Sequence, residues 1–249
     1  MTDSDETKVK VVNLTKKFGD LLVLDNVSFE VKKGEFLCIV GPTGCGKTTF
    51  LNSLTKLYKI TEGEILVNNE PVNLQKHNVA YIFQEYSTMQ WLNVEQNIGF
   101  GLDIKKVTPA KKKEMVDEVL EMVGLTAYRK YYPNQLSASM LQRVVIARAF
   151  AVKPELLLMD EPYGQLDIEL RFKLEDELVK LWQKTGTTVI FITHNIEEAV
   201  YLGERIMVLT NKPTKIKKEV VDDLPRPRDI TSPAFVKLRN EVTDLIKWW

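Results

Sequence analysis

Phe36-Leu-Cys-Ile-Val40 runs directly into Gly41-Pro-Thr-Gly-Cys-Gly-Lys47-Thr48, and the two halves obey different physics. Five apolar residues in a row, rich in β-branched and aromatic types, read as a short strand buried on both faces. The glycine run behind it matches a phosphate-binding loop, and helical spacing follows over residues 50–58. That order matters: glycines let backbone N–H groups wrap a phosphate at a helix N-terminus, where aligned peptide dipoles favour negative charge. Lys47 is then placed to reach the β- and γ-phosphates of a nucleotide, and Thr48 to bind Mg2+ through its hydroxyl.

Upstream, residues 9–31 alternate apolar and polar side chains through Leu14, Phe18, Leu22, Leu24, Val27 and Phe29, a pattern of antiparallel strands. Downstream, strands are predicted at residues 64–67 and 79–83, a helical stretch over 94–150, and alternating strands and helices at 155–159, 169–184, 188–192, 196–202 and 206–209. Such alternation implies a mostly parallel sheet flanked by helices. Leu224-Pro-Arg-Pro-Arg228 breaks the pattern before a terminal helix over 232–249, with Phe235, Leu238, Val242, Leu245 and Ile246 on one face.

Glu155-Leu-Leu-Leu-Met-Asp160-Glu161-Pro162 is an apolar strand that ends in two carboxylates. Asp160 at the strand end suits orientation of Mg2+ or its water shell, while Glu161 beside it suits polarising an attacking water.

Composition excludes several other chemistries. The 249 residues are 44% hydrophobic, which suits one large α/β domain, and 34 basic residues cancel 34 acidic ones, which argues against nucleic acid as a partner. Residues 1–10 are polar and acid-rich, so no export signal is expected, and no apolar run is long enough to cross a bilayer. Any membrane role therefore goes through a partner. Two cysteines, Cys38 and Cys45, make no disulfide framework, and His77 and His194 lack zinc-ligand spacing. Cys45 reads as a small residue filling the loop rather than a reactive thiol.

Further segments specify a family. Leu136-Ser-Ala-Ser-Met-Leu-Gln-Arg143 is a near match to a Leu-Ser-Gly-Gly-Gln signature, with Ala138 and Ser139 in place of both glycines. Gln142 to Phe150, Tyr163-Gly-Gln-Leu-Asp167, Ile192-Thr-His-Asn195, and Gln84 after Tyr81-Ile-Phe follow the same scheme, and together they make the chain resemble the ATP-binding cassette (ABC) ATPases over essentially its whole length. The resemblance implies a P-loop NTPase α/β fold with a RecA-like parallel-sheet core, an antiparallel β subdomain and an inserted helical subdomain. It places the core at residues 8–88 and 152–224, the helical signature subdomain at 89–151 and a helical tail at 225–249.

By that resemblance ATP is held by Gly41, Pro42, Thr43, Gly44, Cys45, Gly46, Lys47, Thr48 and Thr49, with Asp167 contributing. Mg2+ is held by Thr48, Gln84 and Asp160, and Glu161, His194, Lys47 and Gln84 are catalytic. Phe18 would stack on adenine, with core packing as the other reading of that ring. Ser137 and Ser139 would face the ATP of a second cassette in a head-to-tail homodimer. Glycines allow close backbone approach and positive φ, which Ala138 and Ser139 restrict.

Trp91 to Leu102, Glu198 to Pro213, and the Pro225 to Asp229 and Ser232 to Arg239 runs resemble the nitrate, sulfonate and taurine importer ATPases. The partners implied are two transmembrane permease subunits and, indirectly, an extracytoplasmic solute-binding protein, with the cassette peripheral on the cytoplasmic side of the cell membrane. Two readings remain open: an ATPase that energises import, or an attenuated, regulatory subunit paired with a more active cassette. Trp248-Trp249 could lie at a membrane interface or pack on protein; Glu241 and Asp244 favour packing.

Overall fold

The computed structural model describes residues 6–74, 76–164 and 166–246, so Trp248 and Trp249 lie outside the described residues. In chain order come β1 (Thr7–Phe18), β2 (Leu21–Lys32), β3 (Phe36–Val40), α1 (Lys47–Leu54), β4 (Glu62–Val67), β5 (Glu70–Pro71) and β6 (Val79–Ile82). Then follow α2 (Val94–Ile104), α3 (Pro109–Met122), 3-10 turns at Thr126–Tyr128 and Pro133–Gln135, α4 (Ala138–Ala151), β7 (Leu156–Asp160) and α5 (Ile168–Thr185). The order ends with β8 (Thr188–Thr193), α6 (Ile196–Leu202), β9 (Arg205–Leu209), β10 (Ile216–Val221) and α7 (Pro233–Ile246). These elements form two compact units, Met1–His77 with Thr188–Trp249, and Asn78–Thr187.

The first unit contains two kinds of sheet. β1 pairs antiparallel with β2 and β4, and β4 with β5. Along β2 buried and exposed residues alternate from Val27 to Lys32, as expected of a sheet with one wet face. β3 instead lies parallel between β8 and β9 and is buried at every residue, as is β8, so the apolar run at 36–40 is a central strand. Phe36 and Phe191 meet across these strands at 5.9 Å between ring centroids, and Phe29 of β2 meets Phe50 of α1 at 5.3 Å.

In the second unit β6 runs parallel to β7, accompanied by α2 to α5. Helix boundaries follow local capping: Asn93 and Gln96 form a reciprocal capping box on α2, Pro109 opens α3, and Gly186 at φ 63° closes α5.

Besides the two-residue β5, which was not expected either, three elements differ from the sequence expectation. α1 spans 47–54 rather than 50–58, because Gly46 already starts the helix and Lys56, at φ 58°, stops it. The helical stretch expected over 94–150 is three helices, broken where Lys106 and Gly124 take positive φ. β10 was not expected; its Lys217, Lys218 and Glu219 are exposed on a strand paired antiparallel to β9, so it lacks the apolar signal of the buried strands.

Phe191 is fully buried on β8. Phe191→Ala is expected to cost about 3–5 kcal/mol, read as a lower denaturant midpoint with an unchanged m-value.

Candidate functional site

The predicted site residues fall into two sets, one in each unit. In the first unit, Val40 at the end of β3 pairs in parallel with Thr193 at the end of β8. The phosphate loop leaves one strand and His194 leaves its neighbour at the same level, which is where open α/β sheets place ligands. Gly41, Pro42 and Cys45 are buried, whereas Thr43, Gly44 and Thr48 are exposed and Thr49 is half-buried. Gly44 (φ 75°) and Gly46 (φ 115°) take the left-handed backbone that turns the loop. A Cβ on Gly46 would stand 2.8 Å from Val23 Cγ1. Thr214 also donates its hydroxyl to the Cys45 carbonyl, a tie from outside the motif that no local pattern foreshadows.

α1 starts with no side-chain cap and no acidic residue in its first turn. Its leading amides and dipole therefore suit an anion, and the buried Lys47 ammonium, donating to the Gly41 carbonyl at 2.9 Å and the Pro42 carbonyl at 3.1 Å, adds positive charge in the same loop. These residues fit a nucleotide phosphate. Burial pushes the Cys45 thiol up despite Lys47, which agrees with a packing role and not a thiolate.

His194 is exposed in the turn between β8 and α6, held on both sides. Thr193 Oγ1 accepts from the Asn195 amide at 2.9 Å, and Asn195 caps α6 by accepting from Glu197 and Glu198 amides at 3.0 and 3.3 Å. Phe18, at the end of β1, is 43% exposed, so it is not a core residue. Tyr58 meets its ring edge-on at 5.4 Å, and Lys16 Nζ sits 4.3 Å from its centroid.

In the second unit, Ile82 of β6 pairs in parallel with Met159 of β7, so Gln84 and Glu161 each lie two residues beyond paired positions. Asp160 is buried, and Tyr81 donates its hydroxyl to Asp160 Oδ2 at 3.3 Å. Glu161 stands at φ 46°, left-handed for a residue with a side chain, the kind of local strain that concentrates at functional sites. Gln84 is exposed, and the chain after it is tied down by two residues not singled out in the sequence. Arg148 of α4 donates to the Ser87 carbonyl at 2.7 Å and its hydroxyl at 2.6 Å, and Asn97 Oδ1 accepts from the Met89 amide at 2.8 Å. Two ordinary polar residues on apolar helix faces were the available signal.

Ser137 is the N-cap of α4, accepting from the Met140 amide at 3.4 Å and lying 3.1 Å from the Ser139 hydroxyl. Ala138 and Ser139 open the helix as its first two residues, and neither takes positive φ. The backbone restriction expected from losing both glycines therefore does not arise in this conformation. Asp167 caps α5, accepting from the Leu170 amide at 3.0 Å.

Comparison with known proteins decides the family. The ABC transporter domain family matches residues 24–164. The chain belongs to the ABC transporter family. An uncharacterized ABC transporter ATP-binding protein of Methanocaldococcus jannaschii is 43% identical, over 98% of this chain and 93% of that protein. The aliphatic sulfonates import ATP-binding protein of Bacillus cereus is 40% identical over 92% of this chain and 90% of its own length. A dimeric ATP-binding cassette in a post-hydrolysis state, bound to ADP and Pi, superimposes with a TM-score of 0.75 at 32% identity, covering 87% of this chain and all of that one. The protein is thus an ABC-type ATPase with the P-loop NTPase fold expected from its sequence. No helix among the described residues is long and apolar enough to cross a membrane.

Gly46→Ala in this cassette is expected to lower stability by about 1–3 kcal/mol through its left-handed φ and to weaken ATP binding. Thermal melting with and without nucleotide measures both; an unchanged ATP-induced rise in Tm would contradict it.

Proposed function

We propose that this cassette binds and hydrolyses ATP to energise an importer for a small oxyanion or sulfonate of the nitrate, sulfonate or taurine type. The observation that carries the ATP-binding part is the uncapped start of α1 beside Lys47, an anion cradle at a strand end; the hydrolytic part rests on Glu161 directly after the buried strand end at Asp160. The solute class rests on the importer-like segments after Gln84 and at the tail, and on 40% identity to the Bacillus cereus sulfonate import protein.

In this reading the loop amides and Lys47 hold the phosphates, and Phe18 offers its ring to adenine. Thr48, Asp160 and Gln84 would hold Mg2+, their side-chain oxygens being the donor type a hard cation takes. Mg2+ supplies charge neutralisation on the phosphates when bound. Glu161 accepts the proton of the attacking water, and His194 orients that water against the γ-phosphate. Ser137 and Ser139 face the nucleotide of a second copy, so a homodimer carries two sites. Two permease subunits, fed from outside by a solute-binding protein, would hold the cassette at the cytoplasmic face of the membrane. The functional division follows residues 8–88 with 152–224, 89–151 and 225–249.

The regular first turn of α4, capped by Ser137, favours the working enzyme over the attenuated subunit. Glu161→Gln is expected to slow ATP turnover of the assembled transporter by about 10²–10⁴-fold with ATP binding retained; equal turnover in wild type and variant would sink the working-enzyme reading. Ala138→Gly with Ser139→Gly should leave turnover within about threefold while loosening the start of α4 by up to about 1 kcal/mol. ATP-dependent uptake by the reconstituted complex, screened over nitrate, alkanesulfonates, taurine and unrelated nutrients, tests the solute class.

A further inference from the structure

α6 is seven residues long, under two turns, and a helix this short holds its place only through contacts. Its first residue comes two positions after His194, so any shift of the helix is passed to that side chain through the turn at Asn195. The C-terminal segment grips this helix at both ends.

At the far end, Arg228 Nη1 donates to the carbonyls of Val200, Tyr201 and Gly203 at 2.7, 3.1 and 2.5 Å. Arg226 donates to the carbonyls of Tyr201, at 3.1 Å, and Leu202. Two guanidiniums thus satisfy the acceptors that a helix end leaves open and place positive charge at the negative end of its dipole. Arg228 is itself fixed by Asp222, at 3.0 Å from its carboxylate, and both side chains are buried. At the near end, Arg239 of α7 pairs with Glu197 in the first turn of α6 at 3.3 Å. α7 is anchored by the fully buried Phe235 and Val242.

The Asp222–Arg228 pair is a costly way to obtain stability alone. Burial pushes Asp222 up to about 6 and Arg228 down to about 10 against their mutual attraction, and Asp222 Oδ2 and Arg228 Nε find no partner among the described residues. What the pair does supply is a fixed geometry for the carbonyls of one short helix.

We propose that Arg226, Arg228 and Arg239 are positioning residues for ATP turnover, through which the C-terminal segment sets the place of α6 and hence of His194. This rests on the reading of His194 as the group that orients water at the γ-phosphate. A misplacement of about 1 Å at such a group can cost up to 10²-fold in rate.

The test measures kcat and KM for ATP on the reconstituted transporter carrying Arg239→Ala or Arg228→Lys, each with His194 intact and with His194→Ala, normalised to the protein that still binds ATP. Lysine keeps the charge of Arg228 but has no second nitrogen with which to hold Asp222 while donating to the α6 carbonyls, whereas Arg239→Ala removes only a partly exposed ion pair and leaves folding nearly untouched. The expected result is a fall in kcat of about 3–10-fold for Arg239→Ala and more for Arg228→Lys, with KM unchanged and both effects absent once His194 is alanine. Losses that persist at full size in the His194→Ala background, a rise in KM at constant kcat, or unchanged turnover per binding-competent molecule would each overturn the proposal. If His194→Ala alone leaves turnover unaltered, the reading of His194 fails first and the positioning role falls with it.

Discussion

The glycine loop of the first unit hangs on one constraint: β3 must stay buried along its whole length and then release its backbone abruptly at Gly41. Parallel neighbours on both sides use the hydrogen-bonding groups of β3 up to Val40, so the first amides free to face a ligand are those of the loop. Gly44 and Gly46 make the reversal without Cβ strain, and α1 starts with its amides uncapped. A conventional N-cap such as serine or aspartate would satisfy those amides internally and weaken the attraction for phosphate. The local helix gives up a stabilising contact that an anion can supply instead.

The second unit places its carboxylates by the same device. β7 is buried throughout and ends on Asp160, and the chain then turns through a left-handed Glu161. Parallel pairing of β6 with β7 ends at Ile82 and Met159, two residues before Gln84 and Glu161, while Arg148 and Asn97 tie down the segment that follows Gln84. Arg148 belongs to α4, the helix that Ser137 caps, so the signature and the segment behind Gln84 are joined by one guanidinium. Partial burial lowers the affinity of that guanidinium for its proton.

The altered signature is easier to understand from helix chemistry than from motif matching. Glycine is valued where the backbone needs positive φ or room for a close neighbour. Ala138 and Ser139 occupy the first two positions of a regular helix, where alanine is a better helix former and where the Ser137 hydroxyl already caps the turn. The departure from Gly-Gly therefore keeps the first turn of α4 regular.

Chain order and residue type alone were enough to read the phosphate loop, the Asp160-Glu161 strand end and the α/β alternation, because each is a short-range pattern in which neighbours in sequence do the work, whereas His194 stood out only through the family resemblance. The extents of α1 and of the helices between 94 and 150 were misread, since positive φ at Lys56 and Lys106 leaves little compositional trace. β10 escaped notice because an edge strand with exposed lysines carries no apolar alternation. What only the tertiary structure decided was long-range: Thr214 on Cys45, Tyr81 on Asp160, Arg148 on Ser87, and the two tail arginines on the end of α6. Those contacts join residues far apart in the chain, and a buried donor finds its acceptor only after the strands and helices have packed.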